Sequence, residues 1–150
     1  MGVGGLLKEI PSRPMPRAEA SPPSTNDHQE AIKAAAIVLS AGQSCRMGPQ
    51  NKLLADIDGL PMIVRTVDAL SASKVASITV VLGHEAEQVR AALSGKRVEF
   101  VENRDYAAGL STSLRCGIAA VSQEVECALI CLGDMPRITP MEIDALLDDF

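Results

Sequence analysis

Aromatic side chains are scarce in this 150-residue sequence, which has no Trp, one Tyr and two Phe. Proteins that bind single-stranded nucleic acid stack its bases on aromatic side chains, so the shortage argues against that function. The formal net charge of -5 at pH 7 argues against it too, because binding to a phosphate backbone normally requires a basic face. A nucleotide can still bind locally, through a few cations and backbone amides.

The sequence also lacks the residue spacing of a zinc site. None of the four cysteines forms a CxxC pair, and no histidine lies at ligand spacing from them. We therefore expect buried free thiols, with Cys127 and Cys131 on one face of a strand because they are four positions apart. No apolar run is long enough to span a membrane and no signal-peptide pattern is visible, so a cytoplasmic setting is expected.

Residues 1–33 differ in composition from the rest of the chain. Five prolines interrupt any helix there, and polar residues fill the gaps between them. This segment is predicted to be a flexible arm or linker, and residues 34–150 are predicted to form the domain. The last helix is still open at Phe150, with no C-cap glycine, so we expect a C-terminally incomplete domain with weak nucleotide binding and poor turnover.

Short apolar runs alternate with amphipathic segments along residues 34–150. The runs predict buried strands, and the segments between them predict helices. This alternation predicts an α/β fold, with a mainly parallel sheet covered by helices on both faces. The predicted strands are 35–39, 77–82, 98–101 and 128–132, the last of them central, and the predicted helices are 61–71, 85–93, 113–121 and 139–150.

Two helix starts can be predicted from capping residues. Ser111, Thr112 or Ser113 is the expected cap of the helix at 113–121. Thr139 is the expected N-cap of the last helix, because Pro140 suits the first helical position.

Each predicted strand is followed directly by glycine or by polar residues. In a parallel sheet the carboxyl ends of the strands meet at one edge, which is where ligands bind. The residues that follow the strands here are Ala41-Gly42, Gly83-His84, Asn103 and Gly133-Asp134. The candidate site is therefore expected at this edge.

The loop after the first strand reads LSAGQSCRMG (39–48) and is followed by Lys52. Glycine allows a turn that points backbone amides inward, toward phosphate oxygens, while Arg46 and Lys52 add positive charge. The spacing matches neither GxxxxGK[ST] nor GxGxxG. On composition alone, a phosphate site and an ordinary loop with two solvated cations remain open alternatives.

This loop resembles the L-x-A-G-x-S-x-R-M-G…K signature of the nucleotidyltransferase superfamily. Within it, the sequence is most similar to molybdenum cofactor cytidylyltransferases of the MobA-like NTP transferase family. The resemblance extends over about residues 34–150 and departs from the usual pattern at Ser40 and Cys45. Three further segments carry it: NKLL (51–54), GLSTSLR (109–115) and LGDMP (132–136).

The resemblance implies a three-layer, Rossmann-like nucleotidyltransferase (GT-A-like) fold and a Mg²⁺-dependent transfer of CMP from CTP to a molybdopterin-type acceptor. It implies that Ala41, Gly42 and Arg46 hold the triphosphate, that Lys52 reaches the phosphates and that Asp134 binds Mg²⁺. Lys52, Arg46 and Asp134 are the expected catalytic residues. The alternative for Asp134 is a turn residue, since Asp is common in turns.

The resemblance also implies that the backbone near Leu39 and Ser40, together with Gly109 and Ser111, lines the base and ribose. The family is expected to continue beyond this sequence with further strands and a second metal-binding acidic residue.

Other functions remain open. One is transfer from GTP, or to another phosphorylated acceptor such as a sugar phosphate. Another is a non-catalytic nucleotide-binding or chaperone-like module for a molybdoenzyme. An oxidoreductase is disfavoured by the missing dinucleotide fingerprint. No nucleic acid or membrane partner is expected.

Overall fold

The computed structural model describes residues 32–42 and 51–150. Four parallel strands and four α-helices lie in this part of the chain, together with a short antiparallel pair of strands. In chain order the elements are β1 (Ala34–Leu39), β2 (Asp56–Ile57), β3 (Leu60–Pro61), α1 (Met62–Ser71), β4 (Ser77–Leu82), α2 (Ala86–Ala92), β5 (Glu99–Glu102), α3 (Leu110–Ala120), β6 (Cys127–Leu132) and α4 (Pro140–Asp148). Short 3-10 turns lie at Lys52–Leu54 and Tyr106–Ala108.

The four-stranded sheet has the order β5-β4-β1-β6, and all its pairs are parallel. β1 is fully buried between β4 and β6, because its residues are apolar on both faces. Ala36 and Val38 face a core shared with α1, α2 and α4, whereas Ile37 and Leu39 face a second core on the side of α3. The prediction of a three-layer α/β fold with a parallel sheet is therefore confirmed.

Helix α3 lies unusually close to the sheet at Gly117. A Cβ on this residue would collide with Cγ2 of Ile37 and lie 3.0 Å from Cγ2 of Val81. The missing side chain thus lets the helix backbone pack directly on β1 and β4. This contact fixes the height of α3, and hence of its N-terminus, above the sheet.

The prediction that residues 128–132 form a central strand is wrong for the part of the chain that the structure describes. There β6 pairs with β1 alone and lies at the end of the sheet. Helix α3 packs on β1, β4 and β5, so Ile130 and Leu132 on β6 remain 42% and 43% exposed. A continuous apolar run does not distinguish a central strand from a strand at the end of the sheet, because either can be equally apolar.

The cap predicted for α3 is also wrong. The helix begins at Leu110, its N-cap is Gly109 with φ 121°, and no side chain caps it. The hydroxyls of Thr112 and Ser113 instead interact with Asn103.

The cap predicted for α4 is confirmed. The Thr139 hydroxyl accepts a hydrogen bond from the backbone N–H of Glu142, and the Glu142 carboxylate accepts one from the N–H of Thr139. This reciprocal arrangement is a capping box.

Three cysteines lie in the described residues, and all are free thiols. Cys131 is buried, while Cys127 and Cys116 are half-buried. Cys127 and Cys131 contact the same apolar cluster, as expected for one face of a strand. Burial raises the pKa of the Cys131 thiol to about 11. Cys45 lies outside the described residues.

None of the helices in residues 32–42 and 51–150 is long and apolar enough to cross a membrane.

Candidate functional site

The four ends of the parallel strands lie side by side at the carboxyl edge of the sheet. Four backbone hydrogen bonds continue the pairing past the strands: Ser40 N to Val81 O (3.1 Å), Gly133 N to Leu39 O (3.0 Å), Asn103 N to Leu82 O (2.7 Å) and His84 N to Ala41 O (3.4 Å). Residues far apart in sequence are thereby held at one edge, as the strand pattern predicts.

The chain after β1 runs close to the chain after β4. Ala41 is buried and Gly42 is exposed. A Cβ on Gly83 would lie 2.6 Å from Cβ of Ala41 and 2.8 Å from its carbonyl oxygen. Gly83 is therefore required for this close approach, which positions the start of the glycine-containing loop. Sequence reasoning placed Gly83 at a strand end but gave it no role in the site.

The polar groups of Leu39 and Ser40 are already used within the sheet. The Ser40 hydroxyl donates a 2.6 Å hydrogen bond to the carbonyl of Val81, and the side chain is buried. The carbonyl of Leu39 accepts from Gly133, as described above. Ser40 thus connects β1 to β4, so its hydroxyl faces the sheet.

Lys52 and Asp134 are brought together from distant parts of the chain. Nζ of Lys52 lies 3.2 Å from Oδ2 of Asp134, and the two side chains are 40% and 35% exposed. Lys52 begins a 3-10 turn whose N-cap is Asn51, and the side-chain oxygen of Asn51 accepts from Leu53 N at 3.0 Å. Asp134 directly follows Gly133 at the end of β6. The site therefore presents a cation and a carboxylate, both reachable from solvent.

Gly133 allows these two elements to meet. A Cβ on Gly133 would lie 2.8 Å from Cδ1 of Ile63 and 3.1 Å from Cδ2 of Leu53. Leu53 follows Lys52 in the same turn, so the buried contact beneath the ion pair sets the distance between the two charged residues.

At the other end of the edge, Asn103 organises the segment that leads into α3. Its buried amide nitrogen donates hydrogen bonds to the hydroxyls of Thr112 and Ser113, both at 2.9 Å. Its side-chain oxygen accepts from the backbone N–H of Asp105 at 3.0 Å. Asn103 followed a predicted strand, but sequence reasoning did not select it as a site residue. The only sequence signal was its place after an apolar run.

Gly109 and Ser111 lie at the N-terminus of α3, and both are exposed. Gly109 adopts a positive φ that favours glycine, and within residues 32–42 and 51–150 no atom lies within 4 Å of a Cβ built there. Backbone conformation therefore accounts for this glycine. The network around Asn103 connects the helix start to the end of β5.

Arg46 lies outside the described residues, as does the rest of the loop at 43–50. Its predicted contact with the triphosphate therefore stays a prediction.

The donor set suits a hard cation that shares its coordination with a ligand. Within the described residues no cluster of three or more His, Cys, Asp and Glu side chains is found. Mg²⁺ typically binds one or two carboxylates and completes its shell with water and substrate phosphates. A single half-exposed carboxylate such as that of Asp134 fits this pattern.

A parallel sheet between two helical layers, with glycine and polar residues at its carboxyl edge, defines a Rossmann-like α/β domain. The family model described as the MobA-like NTP transferase domain matches residues 36–150. The chain therefore belongs to the MobA-like NTP transferase family. This confirms the family indicated by the motifs, while the cytidylyltransferase branch stays a prediction.

Among curated proteins, the chain is similar to the bifunctional protein GlmU of Geotalea daltonii, with 32% identity over 117 residues. The match covers 77% of the chain and 26% of GlmU. The chain thus spans about a quarter of the length of the curated relatives it matches.

Solved structures with a similar fold include the following three. A nucleotidyl transferase from Methanothermobacter has a TM-score of 0.71 and 32% identity, covering 77% of this chain and 57% of that one. Rv0371c from Mycobacterium tuberculosis, in complex with manganese, has a TM-score of 0.66 and 25% identity, covering 77% and 58%. The CMP:2-keto-3-deoxy-manno-octonic acid synthetase in complex with CTP has a TM-score of 0.65 and 25% identity, covering 78% and 46%.

Proposed function

We propose that this chain is the nucleotide-binding part of an enzyme that transfers CMP from CTP to a molybdopterin-type molybdenum cofactor and releases pyrophosphate. The observation that carries the transfer chemistry is the pair of Lys52 and Asp134, a cation and a carboxylate 3.2 Å apart at the ligand-binding edge. The domain is proposed to span residues 34–150, with residues 1–33 as a flexible arm.

Asp134 is the proposed ligand of Mg²⁺. Its carboxylate supplies the oxygen donors that this cation prefers, and half-exposure leaves room for phosphate oxygens in the same coordination shell. The manganese complex of Rv0371c supports a divalent cation in this fold. A bound cation offsets the negative charge of the triphosphate.

Lys52 is the proposed contact to the phosphates, which Ala41, Gly42 and Arg46 hold from the loop side. A partly exposed ion pair contributes little to stability. Exchange of the contact between Lys52 and Asp134 for contacts to phosphate oxygens therefore costs little. The ion pair keeps the ammonium at the edge until a nucleotide binds.

Nucleotidyl transfer requires positioning and charge neutralisation more than a covalent catalyst. An oxygen of the acceptor phosphate attacks the α-phosphorus of CTP in line. The bond between the α-phosphorus and the oxygen that bridges to the β-phosphate breaks, and pyrophosphate leaves. Lys52 and Arg46 offset the charge that develops on the leaving group.

The choice of CTP and molybdopterin rests on the two segments that resemble the cytidylyltransferase branch, GLSTSLR (109–115) and LGDMP (132–136). The synthetase solved with CTP supports a cytidine nucleotide in this fold. Base and ribose are proposed to lie against the backbone near Leu39 and Ser40 and against the start of α3, where Gly109 and Ser111 are exposed.

A second candidate is transfer of a nucleotidyl group to a sugar-type acceptor. The same synthetase favours it, because its name specifies a sugar acid and CMP. A third possibility, a module that serves a molybdoenzyme, would bind CTP without releasing pyrophosphate.

Calorimetric titration of the chain with CTP, GTP, UTP and ATP in Mg²⁺ tests the base preference. We expect CTP to bind most tightly, and equal affinities for all four nucleotides would contradict the assignment of cytidine. Addition of molybdopterin to the complex with CTP tests the acceptor through release of pyrophosphate. Release with a sugar phosphate but not with molybdopterin would favour the second candidate.

A further inference from the structure

Thr66 is a buried polar residue on the apolar face of α1. Its side chain is fully buried beside Ile63 and Val67 of the same helix. Its hydroxyl lies 3.0 Å from the carbonyl oxygen of Gly133 and 3.3 Å from that of Met62. Burial of a hydroxyl without a hydrogen bond is costly, so one of these two contacts keeps Thr66 in place.

Of these two contacts, the one with Gly133 connects Thr66 to the candidate site. The carbonyl of Met62 lies one turn earlier in α1 and already accepts the backbone N–H of Thr66 in the helical ladder. A hydroxyl has a single proton to donate, and the shorter contact is the one to Gly133. This hydrogen bond joins α1 to the residue directly before Asp134.

Gly133 is held from three directions. Its N–H donates to the carbonyl of Leu39 on β1 at 3.0 Å, and its carbonyl accepts from Thr66. The space where a side chain would lie is filled by Ile63 and Leu53. β1 therefore holds the peptide before Gly133, and Thr66 of α1 holds the peptide between Gly133 and Asp134. This second peptide leads directly into Asp134 and sets the direction of its side chain.

We infer that Thr66 is a positioning residue for Asp134: its hydroxyl holds the carbonyl of Gly133 and thereby aims the Asp134 carboxylate at Lys52 and at a bound divalent cation. The inference rests on the proposed role of Asp134 as a cation ligand. Partners that orient a metal ligand typically change metal affinity by 10- to 100-fold when they are removed. Thr66 does not contact the Asp134 carboxylate itself but holds the backbone carbonyl of the preceding residue, Gly133.

Two comparisons separate the effect of the Thr66 hydroxyl from the effect of its packing: the wild type with Thr66→Val, and Thr66→Ser with Thr66→Ala. Thr66→Val keeps the shape of the side chain and removes the hydroxyl. Thr66→Ala and Thr66→Ser differ from each other by the hydroxyl alone, and this pair decides the question if Thr66→Val does not fold. A purely structural role would lower the melting temperature of a variant without changing the cation affinity of the folded protein.

Mn²⁺ is the probe, titrated into the chain with saturating CTP, and protein-bound Mn²⁺ is measured by the enhancement of water proton relaxation, because CTP in solution also binds Mn²⁺. Thermal unfolding of each variant is recorded in parallel. We expect Thr66→Val and Thr66→Ala to bind Mn²⁺ about tenfold more weakly than the wild type, and Thr66→Ser to stay close to it. In an Asp134→Asn background, Thr66→Val is expected to add no further loss, because the two changes act on one ligand.

Wild-type affinity in both Thr66→Val and Thr66→Ala would overturn the inference and leave the proposed function standing. Equal losses in Thr66→Ser and Thr66→Ala would overturn it too, because packing would then be the cause. If the wild-type chain itself bound no Mn²⁺ with CTP, the role of Asp134 would fall and the inference with it.

Discussion

The two ends of the carboxyl edge are built in different ways. At the β6 end, Lys52 and Asp134 form an ion pair in which both side chains are partly exposed. At the β5 end, the amide of Asn103 is buried and its hydrogen bonds go to hydroxyls and a backbone N–H of the same chain. One end presents charges to solvent, whereas the other uses polar groups to connect elements of the fold.

This difference predicts that the two ends contribute differently to ligand binding and to the stability of the fold. A partly exposed ion pair contributes little to the free energy of unfolding, and its members can exchange partners with a ligand. A buried amide whose hydrogen bonds are all made is costly to remove, since its partners then lose theirs. We therefore expect stability to depend on the β5 end and cation-dependent nucleotide binding to depend on the β6 end.

The largest stability effect is expected for Asn103→Ala. The change leaves the backbone N–H of Asp105 and the hydroxyl of Ser113 without their partner, and it opens space in a buried region. We expect the free energy of unfolding to fall by about 3 kcal/mol, as measured by urea denaturation. Ser111→Ala, an exposed change on the same helix, serves as the control and is expected to have no measurable effect. Equal stability of the two variants would contradict the contrast between the ends.

A smaller loss is expected for Gly83→Ala, between the two ends. The new Cβ would meet Cβ and the carbonyl of Ala41, and backbone atoms cannot move aside cheaply. Overpacking of this kind costs about 2 kcal/mol in urea denaturation. Gly42→Ala is the matched control, because no atom of the described residues lies within 4 Å of a Cβ built at Gly42. If both changes cost the same, the close approach of the two loops would not be a constraint on the edge.

The parts of the fold that sequence predicts are those that local chemistry decides. The apolar run at Ser77–Leu82 predicts β4 correctly at both ends, and Thr139 before Pro140 predicts the cap of α4. Both signals depend on neighbouring residues alone. The position of β6 at the end of the sheet could not be predicted, because it depends on which strands pair with it.

The same distinction applies to the site. The edge itself follows from the strand pattern, and the family resemblance implies that Lys52 and Asp134 bind one ligand. The structure places these two side chains 3.2 Å apart. Asn103 and Thr66 were missed because their roles arise from contacts across the fold. Thr66 looks like any helical threonine in sequence, and its partner Gly133 is distant along the chain.

Calorimetric titration of CTP with and without Mg²⁺ shows whether Lys52 and Asp134 bind the phosphates and the cation. Lys96 and Asp68 provide matched controls, because they form an ion pair of similar exposure. Asp68 lies on α1, and Lys96 precedes β5. Lys52→Ala and Asp134→Asn are expected to change the free energy of unfolding by less than about 1 kcal/mol. Both should nevertheless weaken the binding of CTP with Mg²⁺ by about ten- to hundredfold, the loss expected for hydrogen bonds to charged groups.

Lys96→Ala and Asp68→Asn are expected to match the first two variants in stability and the wild type in CTP affinity. Asp134→Asn should also abolish the dependence of CTP binding on Mg²⁺, whereas Lys52→Ala should retain it. Wild-type affinity and Mg²⁺ dependence in Asp134→Asn, with the protein still folded, would show that Asp134 does not bind the cation.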